Sequence, residues 1–427
     1  MRSTNVEKTS DYLSQAKQFE EAGNKQKALD FYSKALEVDA DSIAVHQAKG
    51  SFHFSQQDYD LAEGSYRKAV ELGSSAPWVR FRIGRVAQIR GQHNDAIAYF
   101  KEAIALNPKN VNFYTACANS HLKQKQSEKA VACCEQAISL APNLSRPYEQ
   151  LGDIRYAQAE FSKAKANYEK AIELGSRAAR NHFQLGQIAQ QNNRHREAIA
   201  HFKEAISLNP KNIAFYMRWG QSCQKLKWFE QAISAYEQAI SINPEAPNPY
   251  QALGALYFSQ DQFQAAKNNH STAVEKGSKS PFSRFHLGRI AQKQGDLNTA
   301  YHWYQEAIAL NPNNAQFYYY LGTLQSQQSN TAAARESYTK ALDLNPKFKP
   351  ALDAIDELAF VNTTNSTFEN SLFSNNTFSA PTEQLPPTHK SATPDFSVAD
   401  QTPDLIAEAE NKKSLNFFQR LLKRLRQ

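Results

Sequence analysis

The chain has 427 residues, a formal net charge of +7, 15 glycines and a mean hydropathy of −0.65. That length is too great for one ordinary globular core, and the absence of any run of about 18 apolar residues excludes a transmembrane helix. The four cysteines include no Cys-x-x-Cys pair, so their spacing favours reduced thiols over a disulfide framework or a zinc site.

Residues 1–8 are polar and are interpreted as a short leader rather than a secretory signal, which needs an apolar stretch. From Thr9 the sequence repeats itself. The segments FKEAIALNPKN, FKEAISLNPKN and YQEAIALNPNN begin at Phe100, Phe202 and Tyr304, at a constant offset of 102 residues. Because 102 is three times 34, a 34-residue frame divides residues 9–348 into ten units.

The same residue types recur at four positions of this frame. Positions 20 and 27 are alanine in all ten units, position 24 is Tyr or Phe in eight, and position 8 is Gly in eight and Ala in two. Positions 20, 24 and 27 form one stripe of an α-helix, and a small–large–small stripe lets a second helix approach closely. We expect position 8 of that second helix to face the alanines. Each unit is therefore predicted to be an antiparallel helix pair, and the stacked units an all-α solenoid.

Two kinds of signal end the units. Asn-Pro ends five of them, as at Asn107-Pro108, and Gly-Ser ends three, at Gly73-Ser74, Gly175-Ser176 and Gly277-Ser278. A proline stops a helix, and a glycine after a helix is expected to adopt the left-handed conformation.

With these residues at positions 8, 20, 24 and 27, and proline at 32, the units resemble tetratricopeptide repeats. The resemblance implies an all-α, right-handed superhelical solenoid whose first helices line a concave groove. It also implies a non-catalytic scaffold that binds other proteins or extended peptides in that groove. Residues 349–360 are predicted to form a capping helix, which repeat arrays need.

The resemblance places groove-lining side chains at positions 2, 5, 9 and 12 of the first helices. The predicted partner-binding residues are Phe81, Arg85, Gln88, Asn119, Phe183, Gln187, Gln190, Gln221, Gln224, Phe285, Arg289 and Gln292. Amides, arginines and exposed aromatic rings suit a peptide backbone and acidic groups. The 102-residue block leaves two interpretations open: three similar sub-sites for a long ligand, or the trace of a duplication. The family's paired Lys/Asn/Arg carboxylate clamp is not present, so binding of a chaperone tail is not supported.

The C-terminal part changes composition twice. Residues 361–411 are rich in Asn, Thr, Ser and Pro and are predicted to be a disordered linker. Residues 412–427 are predicted to form a basic amphipathic helix. Its proposed contact residues are Phe418, Arg420, Leu422, Lys423, Arg424, Leu425 and Arg426. Four roles stay open for it: contact with an anionic membrane, docking on a partner, folding back into the groove, or a frayed solubilising tail.

No catalytic motif is present in the sequence, and we expect no catalytic, cofactor or metal site. His195 and His201 are expected to be surface or packing residues. The charge is scattered, which disfavours nucleic-acid binding. Two alternatives remain: an accessory subunit beside a glycosyl- or sulfotransferase, suggested by the resemblance, and a membrane-peripheral assembly factor. The expected location is cytoplasmic, with peripheral membrane contact as the alternative.

Overall fold

The fold was taken from a computed structural model, which describes residues 2–359, with side chains from Asn5 onward. That part of the chain consists of helices joined by short turns and contains no strand. The predicted all-α fold class is therefore confirmed. The predicted linker 361–411 and basic helix 412–427 lie outside the described residues.

The chain divides into two compact bodies between Pro210 and Lys211. The first body contains twelve helices: α1 Arg2–Glu21, α2 Lys25–Val38, α3 Ile43–Ser55, α4 Tyr59–Glu71, α5 Pro77–Ile89, α6 His93–Leu106, α7 Val111–Lys123, α8 Ser127–Leu140, α9 Ser145–Ala157, α10 Phe161–Glu173, α11 Ala179–Gln191 and α12 His195–Leu208. From α3 onward, each first helix begins at the residue where the 34-residue frame begins a unit. The first helix instead starts N-terminal to the frame's Thr9, at Arg2.

The second body follows the same plan. Its helices are α13 Ile213–Lys225, α14 Phe229–Ile242, α15 Pro247–Ser259, α16 Phe263–Glu275, α17 Pro281–Lys293, α18 Leu297–Leu310, α19 Ala315–Gln327, α20 Thr331–Leu344 and α21, residues 349–359. Within each body, every odd-numbered helix up to α19 packs most extensively on the helix that follows it, and the pairs pack in succession. This is the arrangement expected of stacked repeats.

Left-handed backbone conformations mark two recurring positions. Gly73, Gly175 and Gly277 have φ values of +94°, +86° and +81° after the second helices, which confirms the expectation for the Gly-Ser units. One residue in the turn between the two helices of each unit has a positive φ as well, and it is glycine in only three of the ten units. Gln57, with φ +66°, and Lys125, with φ +57°, are two of the seven exceptions. Each such residue costs of order 1 kcal/mol, which the packing of the two helices has to offset.

The close approach of the two helices differs from the predicted one in one respect. The nearest neighbour of the glycine at position 8 is the aromatic ring at position 24; the alanine at position 20 is also close at Gly84, where the carbonyl oxygen of Ala96 would lie 3.2 Å from a built Cβ. A Cβ built on Gly152 would lie 2.7 Å from Cε1 of Tyr168, and one on Gly84 would lie 2.7 Å from Cε1 of Phe100. All eight glycines at this position show the same ring contact. At these eight units the glycine leaves room for a buried ring, because a Cβ there would lie less than 3 Å from ring atoms as they are now placed.

Candidate functional site

The first helices of neighbouring repeats form a continuous face within the first body, where α5 contacts α7 and α7 contacts α9. Positions 5, 9 and 12, from which the sequence predicts partner binding, lie on these helices. The structure assigns the predicted residues to three groups with different surroundings: phenylalanines, amides and arginines.

The phenylalanines are less exposed than predicted, and the prediction of an exposed ring is wrong for Phe285. Phe285 is only 2% exposed and belongs to the core around Tyr304. Phe81 is half-buried, with its ring 5.0 Å from Phe113, and Phe183 is half-buried, 5.8 Å from Phe202. The physical reason is shared: position 5 lies beside the buried aromatic ring at position 24, and an apolar ring is more stable against it than in water.

The glutamines at position 12 connect neighbouring repeats. Gln88 on α5 donates from Nε2 to Ser120 Oγ at 2.8 Å and to the carbonyl oxygen of Ala116 at 3.2 Å, both on α7. Gln292 on α17 donates to Gln327 Oε1 at 2.9 Å and accepts from the hydroxyl of Tyr304 at 2.6 Å. These amides are already used by the protein, so displacing them for a ligand would cost hydrogen bonds.

The remaining amides are half-buried or exposed and make longer contacts. Gln187 Oε1 accepts from Tyr156 at 3.4 Å, Gln221 Oε1 from Arg218 at 3.3 Å, and Gln224 Oε1 from Tyr236 at 3.3 Å. Asn119 and Gln190 are half-buried on α7 and α11.

Three arginines of the first body belong together: Arg85 on α5 interacts electrostatically with Arg82 on the same helix and with Arg146 on α9. We call them the arginine cluster. Burial lowers the pKa of Arg85 from its ordinary value, and repulsion from Arg146 and Arg82 lowers it further. None of the ion pairs formed within residues 2–359 includes a member of the cluster. The cluster is thus a group of like charges without a neutralising carboxylate.

Two members of the cluster are held in place by the protein. Arg85 Nη1 donates to Gln88 Oε1 at 2.5 Å, and Gln88 is itself tied to α7. The guanidinium of Arg82 lies over the ring of Phe54, 4.5 Å from its centroid. Arg82 and Arg146, at frame positions 6 and 2, were not among the predicted residues. The three arginines of α5 are the sequence signal that could have indicated Arg82: Arg80, Arg82 and Arg85.

Position 9 has a different environment in each copy of the 102-residue block. Arg289, the counterpart of Arg85 on α17, is stacked between Phe258 and Tyr320, with 4.7 Å to each ring centroid. Gln187 replaces the arginine in the intervening copy. The hypothesis of three similar sub-sites therefore has no common geometry at this position to support it.

Within residues 2–359, no helix combines the length and the apolar character needed to cross a bilayer.

Comparison with known proteins gives matches along most of the repeats. A family model described as the cilia and flagella-associated protein 70 C-terminal domain matches residues 142–357, and two tetratricopeptide repeat models match residues 87–151 and 13–77. Tetratricopeptide repeat protein 28 of Homo sapiens is 29% identical over 96 residues, which is 22% of this chain and 4% of that protein. The match thus spans only a small part of that relative's length.

Solved structures with similar helix arrangements include PilF of Pseudomonas aeruginosa and yeast Tom70. PilF is 20% identical, with a TM-score of 0.43, covering 51% of this chain and 97% of its own. Tom70 is 15% identical, with a TM-score of 0.41, covering 84% of this chain and 96% of its own.

Proposed function

Because the chain belongs to the tetratricopeptide repeat family, we propose that it is a non-catalytic scaffold for partner proteins, and that the face of α5, α7 and α9 binds an acidic segment of an extended peptide. The observation that carries the proposal is the arginine cluster without a carboxylate partner. Its like charges repel one another, and a bound acidic segment would replace that repulsion with attraction. A peptide in an extended conformation is the ligand because the face continues from helix to helix.

The chemistry of the three side chains favours carboxylates. A guanidinium presents its N–H groups as a planar fork that matches both oxygens of a carboxylate. Hydrogen bonds to charged groups contribute about 1.5–3 kcal/mol each when well made. Two or three such contacts would be sufficient for a selective interaction, although each is weakened where the site is open to solvent.

Preorganisation of the arginine side chains also favours binding of the peptide. Arg85 is oriented through Gln88, which is bonded to α7, and Arg82 is stacked on Phe54. Ordering a free arginine side chain at an interface costs about 0.5–1.5 kcal/mol, and part of that cost is already met in the folded protein. In the second body, Arg289 is enclosed by rings instead, so we do not extend the proposal to it.

The test is a selection from a random peptide library displayed on phage, using the full chain as bait. We expect the enriched sequences to contain Asp and Glu at closely spaced positions. Fluorescence anisotropy with a selected peptide then compares the wild type with the triple variant Arg82→Gln, Arg85→Gln and Arg146→Gln. The affinity is expected to fall at least tenfold, which corresponds to about 1.4 kcal/mol, and to decrease with added salt.

A matched control separates site contacts from net charge. The triple variant Arg67→Gln, Lys68→Gln and Arg90→Gln removes the same charge, from side chains that are paired with Glu63, Glu71 and Asp60. We expect this variant to bind like the wild type. An equal loss of affinity in both triple variants would show that only the overall charge matters, and enrichment of peptides without acids would contradict the proposed ligand.

A further inference from the structure

Repeat 4 contains a cluster of metal-binding residue types that no other repeat has. Cys117 and His121 lie one turn apart on α7, and Cys133 lies on the facing helix α8. The two Sγ atoms and an imidazole nitrogen all lie within 4.8 Å of one another. We call these three residues the Cys117–His121–Cys133 cluster. The sequence predicts no metal site, because the intervals between these residues match no familiar zinc motif. The packing of the two helices brings them together.

The cluster is largely buried and has one open side. Cys117 is 1% exposed and His121 is 3% exposed, whereas Cys133 is half-buried. A buried thiol or imidazole is shielded from most other molecules that could bind it. The exposed side, next to Cys133, offers a path by which an ion could enter and a place for a water molecule.

A hydrogen bond to Gln126 fixes the tautomer of the histidine. Nδ1 of His121 lies 2.9 Å from Oε1 of Gln126. An amide oxygen only accepts, so Nδ1 carries the proton and Nε2 keeps its lone pair. Histidine ligands in metal sites are held in the same way by an acceptor behind the ring.

The two thiols are close enough to interact. Cys117 and Cys133 face each other across the two helices, and the ammonium of Lys101 lies nearby. The thiolate is the form that binds a metal, so coordination requires each thiol to lose its proton.

Packing alone does not explain these residue types. They occupy frame positions 7, 11 and 23, where position 7 is Leu or Ile in six other repeats, as in Leu151 and Leu185. Inheritance does not explain them either. The counterparts in repeats 7 and 10, the equivalent units of the 102-residue block, are Trp219, Cys223, Ala235 and Leu321, Gln325, Ser337. The three donors therefore occur together only in repeat 4.

We propose that the Cys117–His121–Cys133 cluster binds one zinc(II) ion, with a water molecule as the fourth ligand on the open side. Two thiolates and an imidazole are ligands that zinc prefers, in a tetrahedral arrangement with Zn–S of about 2.3 Å and Zn–N of about 2.0–2.1 Å. Those distances place tetrahedral donor atoms roughly 3.5–3.8 Å apart. Because the donor atoms lie within 4.8 Å of one another, they have to approach by at most about 1.3 Å, which side-chain rotation can supply.

The charge of the product suits a buried site. Binding of Zn²⁺ releases one proton from each thiol, and the two thiolates neutralise the ion, so the complex with a neutral imidazole and water carries no net charge. A neutral complex avoids the large cost of burying a charge and is not repelled by Lys101. Because the ligands come from α7 and α8, the ion would link the two helices of repeat 4. This inference is independent of the proposed peptide binding.

The test uses the full chain, prepared metal-free in a phosphine reductant that does not bind as a thiol does. Titration with Co²⁺ is expected to give thiolate-to-cobalt charge-transfer absorption and tetrahedral d–d bands that saturate at one equivalent. Zn²⁺ should displace the Co²⁺, raise the melting temperature and release about two protons per ion in weakly buffered solution.

The decisive variant is Cys117→Leu, because leucine occupies this position in other repeats and the variant is expected to fold without metal. It should lose the charge-transfer absorption and the rise in melting temperature, as should His121→Gln. Cys223→Ser is the matched control, since it removes a buried cysteine of another repeat. This variant should still bind one equivalent of metal ion. Absence of thiolate absorption in the wild type, or full binding by Cys117→Leu, would overturn the proposal.

Discussion

A buried histidine pair makes the second body sensitive to acid. His270 on α16 stands at frame position 24, where eight other repeats have Tyr or Phe, and it is fully buried. Its ring is stacked on that of His286 on α17, with 4.9 Å between centroids and 6° between planes. Neither ring nitrogen of His270 has a hydrogen-bond partner, and Arg289 lies near His286. Protonation of either ring would place a charge in the core without compensation.

The size of the effect follows from the pKa of His270, which burial lowers from 6.5 to about 4. The unfolded chain binds a proton in that interval and the folded protein does not. The contribution of the neutral histidine to the free energy of unfolding is therefore complete above pH 6.5 and is lost as the pH falls towards 4. The full loss of unfolding free energy is about 3 kcal/mol, and about 2 kcal/mol of it has occurred at about pH 5. His286, whose pKa burial also lowers, acts in the same direction.

The assay is urea denaturation followed by circular dichroism, at several pH values between about 7.5 and 4.5 and at constant ionic strength. We expect His270→Phe to reduce the acid loss of unfolding free energy by about 2 kcal/mol at about pH 5. Tyr304→Phe is the control, because it introduces phenylalanine at the same frame position without removing a histidine. It should retain the acid loss of the wild type. The reasoning would be refuted if His270→Phe and the wild type lost stability equally on acidification.

Three further predictions concern packing. Gly84→Ala should destabilise the protein by about 2 kcal/mol, because overpacking against Phe100 exceeds the gain in helix propensity. Gly64→Ala, whose Cβ would meet no atom within 4 Å, should stabilise it by up to about 1 kcal/mol. Melting temperatures that change alike in the two variants would contradict the close contact between the position-8 glycine and the buried ring. Ala198→Leu, at a fully buried site, should cost about 1–3 kcal/mol, and an unchanged melting temperature would count against the repeat frame. Gln88→Ala should cost about 1–3 kcal/mol by leaving Ser120 without its partner, and faster hydrogen exchange in α5 and α7 would locate that loss.

The fold could be predicted from the sequence because its strongest packing contacts recur every 34 residues. The alanines at positions 20 and 27 and the rings at position 24 are required wherever two helices meet, so they appear in the sequence as a period. The Gly-Ser boundaries were predictable for a similar reason, since the left-handed conformation at Gly73 is a local property of the chain.

The details of the site depend on how two helices are rotated and shifted against each other, which a one-dimensional frame does not specify. That is why Gly152 was expected opposite an alanine and instead faces the ring of Tyr168. The same limit applies to Phe285, which points into the core, and to Cys133, which meets Cys117 and His121 only across a helix pair. The turns at Gln57 and Lys125 were not predicted because their positive φ is imposed by packing rather than by residue type.

The most direct test of the proposed function is to locate a bound peptide on the protein. A peptide selected on the full chain would carry a photoactivatable benzophenone beside its acidic residues, and the cross-linked positions would be identified by mass spectrometry. The account predicts cross-links on α5, α7 and α9, and their loss when the arginine cluster is replaced by glutamine. Cross-links confined to the second helices α6, α8 and α10, unchanged by that replacement, would contradict it.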